Sequence, residues 1–185
     1  MFSSPQVSVE PVRETVQARA DAGEAEAQFS LGLKYANGPG EAQDYSQAAE
    51  WYLKAARQNH CMAQFNLGMM YSKGQGVAQN EDDAAAWILK AANQGDAGAQ
   101  FVLGIKHLRR SFEGIAKDVT ESKIEAYKWL HLSTAQGYRG SQSALHNLIF
   151  GMSREAVHEG NQRATSFLAR CSPERIEQKA STSLE

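Results

Sequence analysis

Proline is scarce and lies almost entirely at the ends. The four are Pro5, Pro11, Pro39 and Pro173, so residues 40 to 172 contain none. A chain of many β-turns rarely runs that far without the ring, whereas helices exclude it because it removes a backbone donor and clashes with the preceding turn. Cysteine is equally thin. Cys61 and Cys171 stand 110 residues apart and form neither a CxxC pair nor a disulfide framework, which favours a reducing compartment. Charge of one sign is not in excess either: 19 Lys and Arg against 21 Asp and Glu leave a net charge of −2. That removes the general pull toward phosphate backbones and anionic lipid, so nucleic acid is not an expected partner. No apolar run approaches the roughly 18 residues of a membrane span, and the first residues lack the charged and apolar regions of a signal peptide. The expected location is therefore cytoplasmic for the chain as written, and periplasmic or secreted if a leader precedes it in the native product.

What the chain does have is alanine, 28 of 185 residues, with 15 glycines beside it. Their positions follow a repeat. Gln28-Phe-Ser-Leu-Gly32 recurs as Gln64-Phe-Asn-Leu-Gly68 and as Gln100-Phe-Val-Leu-Gly104, at intervals of 36 residues. Downstream, Ala48-Ala-Glu-Trp51-Tyr-Leu-Lys54-Ala-Ala56 returns 36 residues later as Ala84-Ala-Ala-Trp87-Ile-Leu-Lys90-Ala-Ala92. A third copy is centred on Trp129, and its interval of 42 places six extra residues between Gly104 and Trp129. Fixed-period self-similarity of this length marks an array of supersecondary units.

Each unit reads as two helices. In the first, at 100° per residue, Ala27, Gln28, Leu31, Gly32 and Tyr35 share one face while Phe29, Leu33 and Ala36 share the adjoining one, leaving only a narrow polar stripe. Such a helix is packed on two sides. Gly32, Gly68 and Gly104 fall mid-helix, where glycine costs about 1 kcal/mol against alanine, so their recurrence implies close approach of another helix. Asn37-Gly-Pro-Gly40 and Lys73-Gly-Gln-Gly76 then supply helix-ending turns; neither has the strand-turn-helix setting of a phosphate loop. The second helix is expected to start at Asp44, Asn80 and Ser122, each seven residues before its tryptophan, with Ser122 and Glu125 forming a capping box. Ala48, Tyr52, Ala55 and Ala56 face inward, Glu50 and Lys54 form an outward pair, and the three tryptophans act as packing anchors.

These residues resemble the Sel-like repeats, relatives of the tetratricopeptide repeat, whose motif combines A-x-A-Q-x-x-L-G-x-x-Y, a G-x-G-V loop, an acidic cap and A-x-x-W-Y-x-K-A-A-x-Q-G. The second unit carries it as Ala63-Gln64, Leu67-Gly68, Tyr71, Gly74-Gln-Gly-Val77, Asn80, Ala84, Trp87, Lys90-Ala-Ala92 and Gln94-Gly95. Departures are His107 at the tyrosine position, His146 at the glycine position of a partial fourth unit, Asn59-His60-Cys61 in place of a glycine turn, and the Leu108 to Glu121 segment without its G-x-G-V loop. The resemblance implies an all-α, right-handed α-solenoid with a concave groove. It implies units at about 24–59, 60–95 and 96–137, a partial unit with a capping helix over 138–170, and a solenoid spanning 10–172 between flexible tails 1–9 and 173–185. It also implies a non-enzymatic adaptor for a protein or peptide, in a bacterial regulatory, envelope or secretion process, with no cofactor or metal. A monomer is expected.

Positions of the first helix not needed for packing form a stripe: Ser30, Lys34 and Asn37; Asn66, Met70 and Lys73; Val102, Lys106 and Arg109. Its cations suit an acidic segment or a peptide carboxylate, the alternative being ordinary solvated lysines. Met70 has an alternative role in the core. The inserted segment, expected to form a loop, adds Arg109, Arg110 and Phe112 as candidate partner contacts. The five histidines show no catalytic or metal-binding spacing. A metal site of His107 and His131 with Cys171 or a carboxylate, or a hydrolase built on a histidine and a carboxylate in a deep pocket, is the alternative from a different class.

Overall fold

The computed structural model describes residues 15–40, 43–113 and 116–171. The tails expected to be flexible lie outside them. Among the described residues every regular element is an α-helix: α1 (Val16–Asp21), α2 (Ala25–Ala36), α3 (Tyr45–Arg57), α4 (Cys61–Lys73), α5 (Glu81–Asn93), α6 (Ala97–Glu113), α7 (Ala116–Ala135), α8 (Ser141–Ile149) and α9 (Arg154–Cys171). Helices α2 and α3, α4 and α5, and α6 and α7 pair as hairpins, and α3 packs on α4 and α5 on α6 to stack one hairpin on the next. The array ends with α8 and α9, both against α7.

The mid-helix glycines account for the close pairing. A β-carbon on Gly32 would overlap the Tyr52 ring; on Gly68 it would lie 2.7 Å from Ile88 Cγ1, and on Gly104 2.6 Å from Leu130 Cγ. The partners sit at equivalent positions of α3, α5 and α7, so each hairpin closes on the same contact. Alanines supply the complementary flat surface, with Ala48, Ala55, Ala91, Ala92 and Ala126 fully buried. The core is a chain of clusters in which each hairpin shares residues with the next: Phe29, Tyr52, Ala63, Leu67 and Met70 form one, and Ile88, Leu103, Trp129, Leu132 and Phe167 another. That is the nearest-neighbour construction of a solenoid.

A ladder of glutamines, not foreseen from the sequence, ties the stacked units together. Gln28, Gln64 and Gln100 are buried, and each donates from Nε2 to a backbone carbonyl eight residues earlier, Ala20, Ala56 and Ala92, at 3.1–3.2 Å. Each accepts at Oε1 from the glutamine that ends its unit's second helix: Gln58 at 2.8 Å, Gln94 at 2.7 Å and Gln136 at 2.9 Å. A buried amide is costly unless both ends are satisfied, and here both are.

The turns follow their chemistry. Asp44 and Asn80 cap α3 and α5 as expected, accepting from Gln47 N at 3.0 Å and from Asp82 N and Asp83 N. Asn59 adopts the left-handed conformation at φ 64°, as asparagine tolerates, and His60 caps α4 by accepting from Ala63 N at Nδ1. The ring proton therefore sits on Nε2, 2.9 Å from Glu26, while the ring stacks on Phe29.

Three expectations are corrected. Ser122 is not an N-cap: it is buried inside α7, which begins at Ala116, and Glu125 turns to Arg163 instead of closing a capping box. The insertion does not form a loop over its length, because without the helix-ending Gly-x-Gly it prolongs α6 to Glu113 and starts α7 early. Glu50 and Lys54 do not pair: Lys54 lies over the Trp51 ring at 3.7 Å, as Lys90 lies over Trp87 at 4.0 Å and Lys128 over Trp129 at 4.1 Å. A tryptophan face attracts a cation and shields its methylenes, which an exposed carboxylate does not. Trp51 and Trp129 are buried as anchors and Trp87 is half-buried.

Candidate docking face on the first helices

Between α2 and α4, over α3, lies a cleft of about 370 Å³ lined by Leu33, Ala36, Asn37, Tyr45, Tyr52, Asn66, Met69, Met70, Lys73 and Gln75. A second, of about 310 Å³, lies between α4 and α6 over α5 and includes Ser72, Glu81, Ala84, Ala85, Ile88, Val102, Ile105, Lys106 and Arg109. The two are one site repeated. Ala36, Tyr45, Tyr52, Asn66, Met69, Met70 and Lys73 of the first correspond, 36 residues on, to Ser72, Glu81, Ile88, Val102, Ile105, Lys106 and Arg109 of the second.

Their chemistry differs where the sequence departs from strict repetition. The first cleft carries three amides, two phenols and one cation. Burial pushes the Tyr52 hydroxyl above its ordinary value against the pull of its hydrogen bond with Asn66, so it stays protonated and polar. In the second cleft Ile88 replaces Tyr52 and Val102 replaces Asn66, leaving an apolar floor widened by Ala84 and Ala85, with Lys106 and Arg109 at its edge.

The stripe expected from the helical wheel thus falls largely on these clefts. Asn66, Met70 and Lys73 line the first, and Lys106 and Arg109 the second; Lys34 is exposed on α2 but is not among the lining residues. Met70 is buried at 5% and belongs to the core, so it offers least surface. Arg110 and Phe112 stand on the last turns of α6, the latter 79% exposed. What the wheel missed were the cleft residues of the second helices, Tyr45, Tyr52, Glu81 and Ile88. The recurring position of Tyr52 and Ile88 opposite Gly32 and Gly68 is the signal from which they follow.

A separate polar cluster joins α7 to α9. Arg163 reaches Glu121, Glu125 at 2.8 Å and Glu159 at 2.9 Å, and Lys128 reaches Glu125 at 3.3 Å. The carboxylates hold the guanidinium above its ordinary value. Burial pushes the Glu125 carboxyl up, but the Arg163 hydrogen bond and Lys128 outweigh it, and the net shift is downward. His107 lies beside this cluster in a recess of about 160 Å³ with Arg110, Glu121, Ser122 and Glu125, and burial lowers its ring below the ordinary histidine value despite Glu125. Both carboxylates there are engaged by Arg163. His131 stacks on Tyr127, and Cys171 lies against the Asn93 carbonyl. Among the described residues no three His, Cys, Asp or Glu side chains are grouped to hold a metal ion, and no helix is long and apolar enough to cross a membrane.

Hairpins of fixed period, each closed on the same glycine contact and stacked through the same glutamine bonds, define an α-solenoid repeat protein. The Sel1 repeat model matches residues 25–60, 61–96 and 97–138, and the chain belongs to the Sel1 repeat family. The third match is the longer one and contains the insertion. Two bacterial structures show the same architecture. A protective antigen present in uropathogenic Escherichia coli strains, with an SLR fold, is 26% identical over 88% of this chain, with a TM-score of 0.71. The chain spans 34% of that protein's length. A Sel1 repeat protein from Oxalobacter formigenes is 32% identical over 71% of this chain and 95% of its own, with a TM-score of 0.59. Among curated proteins none matches. Sel1 repeat proteins are generally protein-interaction scaffolds.

Proposed function

We propose that the chain is a non-enzymatic adaptor that holds a protein or peptide partner along a groove formed by α2, α4 and α6, in a bacterial regulatory, envelope or secretion process. The observation that carries this is the repetition of one open cleft at equivalent positions of neighbouring hairpins: a periodic array of recesses suits an extended polymer better than a small substrate. A solenoid consumes two sides of each first helix in packing and leaves the third free. Both carboxylates of the His107 recess are engaged by Arg163 in the fastening between α7 and α9, which disfavours the hydrolase alternative.

The test is affinity purification from extracts of the source cells with the full chain as bait, followed by quantitative mass spectrometry. Wild type is compared with Asn66→Arg/Val102→Glu in the clefts and with Ala86→Arg on the exposed side of α5. Proteins enriched by wild type and Ala86→Arg and lost with the cleft variant are expected. A partner set retained equally by all three, or no enrichment at all, contradicts the groove.

A further inference from the structure

Several cations are engaged within the fold. Lys54, Lys90 and Lys128 cover the repeat tryptophans, and Arg163 is held by three carboxylates. Lys73, Lys106 and Arg109 form no ion pair with any described residue, although they too recur on the repeat. Around the two clefts these three cations face a single carboxylate, Glu81, in a chain whose net charge is −2. Local charge opposite in sign to the whole, with no internal partner, selects an anionic ligand. The two clefts also differ in character, the first polar through Asn66 and its neighbours, the second apolar over Ile88 and Val102.

Resting on the groove reading above, we propose that the paired clefts bind an acidic segment of a partner protein that places a carboxylate against Lys73 and an aliphatic side chain in the second cleft, flanked by a carboxylate facing Lys106 and Arg109. Spacing follows from the stack. Packed helices lie about 8–10 Å apart, and a peptide in the polyproline II conformation advances about 3.1 Å per residue with three residues per turn, so a carboxylate and an aliphatic side chain that enter the same face one helix spacing apart stand about three positions apart. Lys106 and Arg109, one turn apart on α6, then meet the carboxylate next to the aliphatic side chain.

Fluorescence anisotropy of short labelled peptides against the full chain tests this. Three cores are compared in one neutral frame: Glu-Ser-Glu-Leu, Gln-Ser-Gln-Leu and Glu-Ser-Glu-Ser. Saturable binding of the first is expected, weaker by at least about tenfold for each of the others and for the Lys73→Gln/Lys106→Gln/Arg109→Gln variant, and falling with added salt. A neutral variant at exposed positions keeps the fold, which circular dichroism verifies. Equal binding of the glutamine peptide, lost with Val102→Glu, overturns the acidic class and leaves the groove standing. Binding of any core indifferent to both Val102→Glu and the triple variant overturns the groove itself. Absence of saturable binding by the first core, or its displacement by an oligothymidine, overturns the acidic peptide.

Discussion

Glycine at position 76 has two separate reasons to be there. Its φ of 68° is left-handed, and a β-carbon would overlap the backbone carbonyl of Tyr45 where α3 begins. Gly23 shares the first reason, with φ 98°, but nothing lies within 4 Å of its would-be β-carbon. Comparing Gly76→Ala with Gly23→Ala therefore separates backbone strain from overlap. Both lose about 1–2 kcal/mol to the conformation, and Gly76→Ala loses a further 1–3 kcal/mol or so because main chain cannot swing aside as a side chain does. Urea unfolding of the two variants measures the difference, and equal losses contradict the close approach. At this scale the sequence was informative about glycine and alanine, because a residue without a side chain at a fixed period has few explanations. It was silent about the glutamine ladder. Gln64 and Gln94 are 30 residues apart, and nothing in either says that they share a hydrogen bond.

Helices α6 and α7 show what periodicity resolves and what it does not. The repeat places the extra residues between Gly104 and Trp129, but periodicity alone does not show that a missing Gly-x-Gly turn lets the helix continue instead of opening a loop. The distance from Ser122 to Trp129 marks a cap only in a helix of the repeat's ordinary length; in the lengthened α7 it marks no end. Helix α1 and the docking of α9 were not legible either, since Arg163 and Glu121 are 42 residues apart.

That docking is the element whose response to pH is determined by its charges. Facing Glu125 and His107 are Glu121, Lys128, Lys106, Arg110, Glu159 and Arg163. Both Glu125 and His107 have folded values below their unfolded ones, so each binds its proton more readily when the chain is unfolded, and stability is lost as pH falls. The His107 contribution is complete above its ordinary value of 6.5 and declines below it; the Glu125 contribution declines below 4.5. Thermal unfolding followed from neutral to acid pH is expected to show both stages, and His107→Gln to remove the upper one. Arg163→Ala, which leaves three partly exposed carboxylates facing one another, is expected to cost on the order of 1–2 kcal/mol and to flatten the lower stage. An unchanged profile in both variants contradicts this account of the α7–α9 fastening and of the His107 recess beside it.

Among the described residues the molecule is a stack in which each hairpin packs on its neighbours, and that determines where function can reside. Packing covers the inner side of each second helix, whose outer side carries exposed residues such as Glu50, Ala86 and Leu89, and two sides of the first; the clefted face that the first helices keep repeats at 36 residues. The fold and the stripe on that face were legible because both follow the repeat. The clefts themselves were not, because each is assembled from three helices and its floor comes from residues such as Tyr52 and Ile88 that look like core.

The central claim is that a partner lies along this face across neighbouring repeats. Site-specific photocrosslinking in the source cells tests it most directly, with a photoreactive side chain placed in turn at Asn66, Val102 and Lys106 in the clefts and at Glu50 and Ala86 on the second helices. The account predicts one shared protein adduct from the three cleft positions and none of it from the other two. The same adduct arising equally from Glu50 and Ala86, or different adducts from Asn66 and Val102, contradicts it.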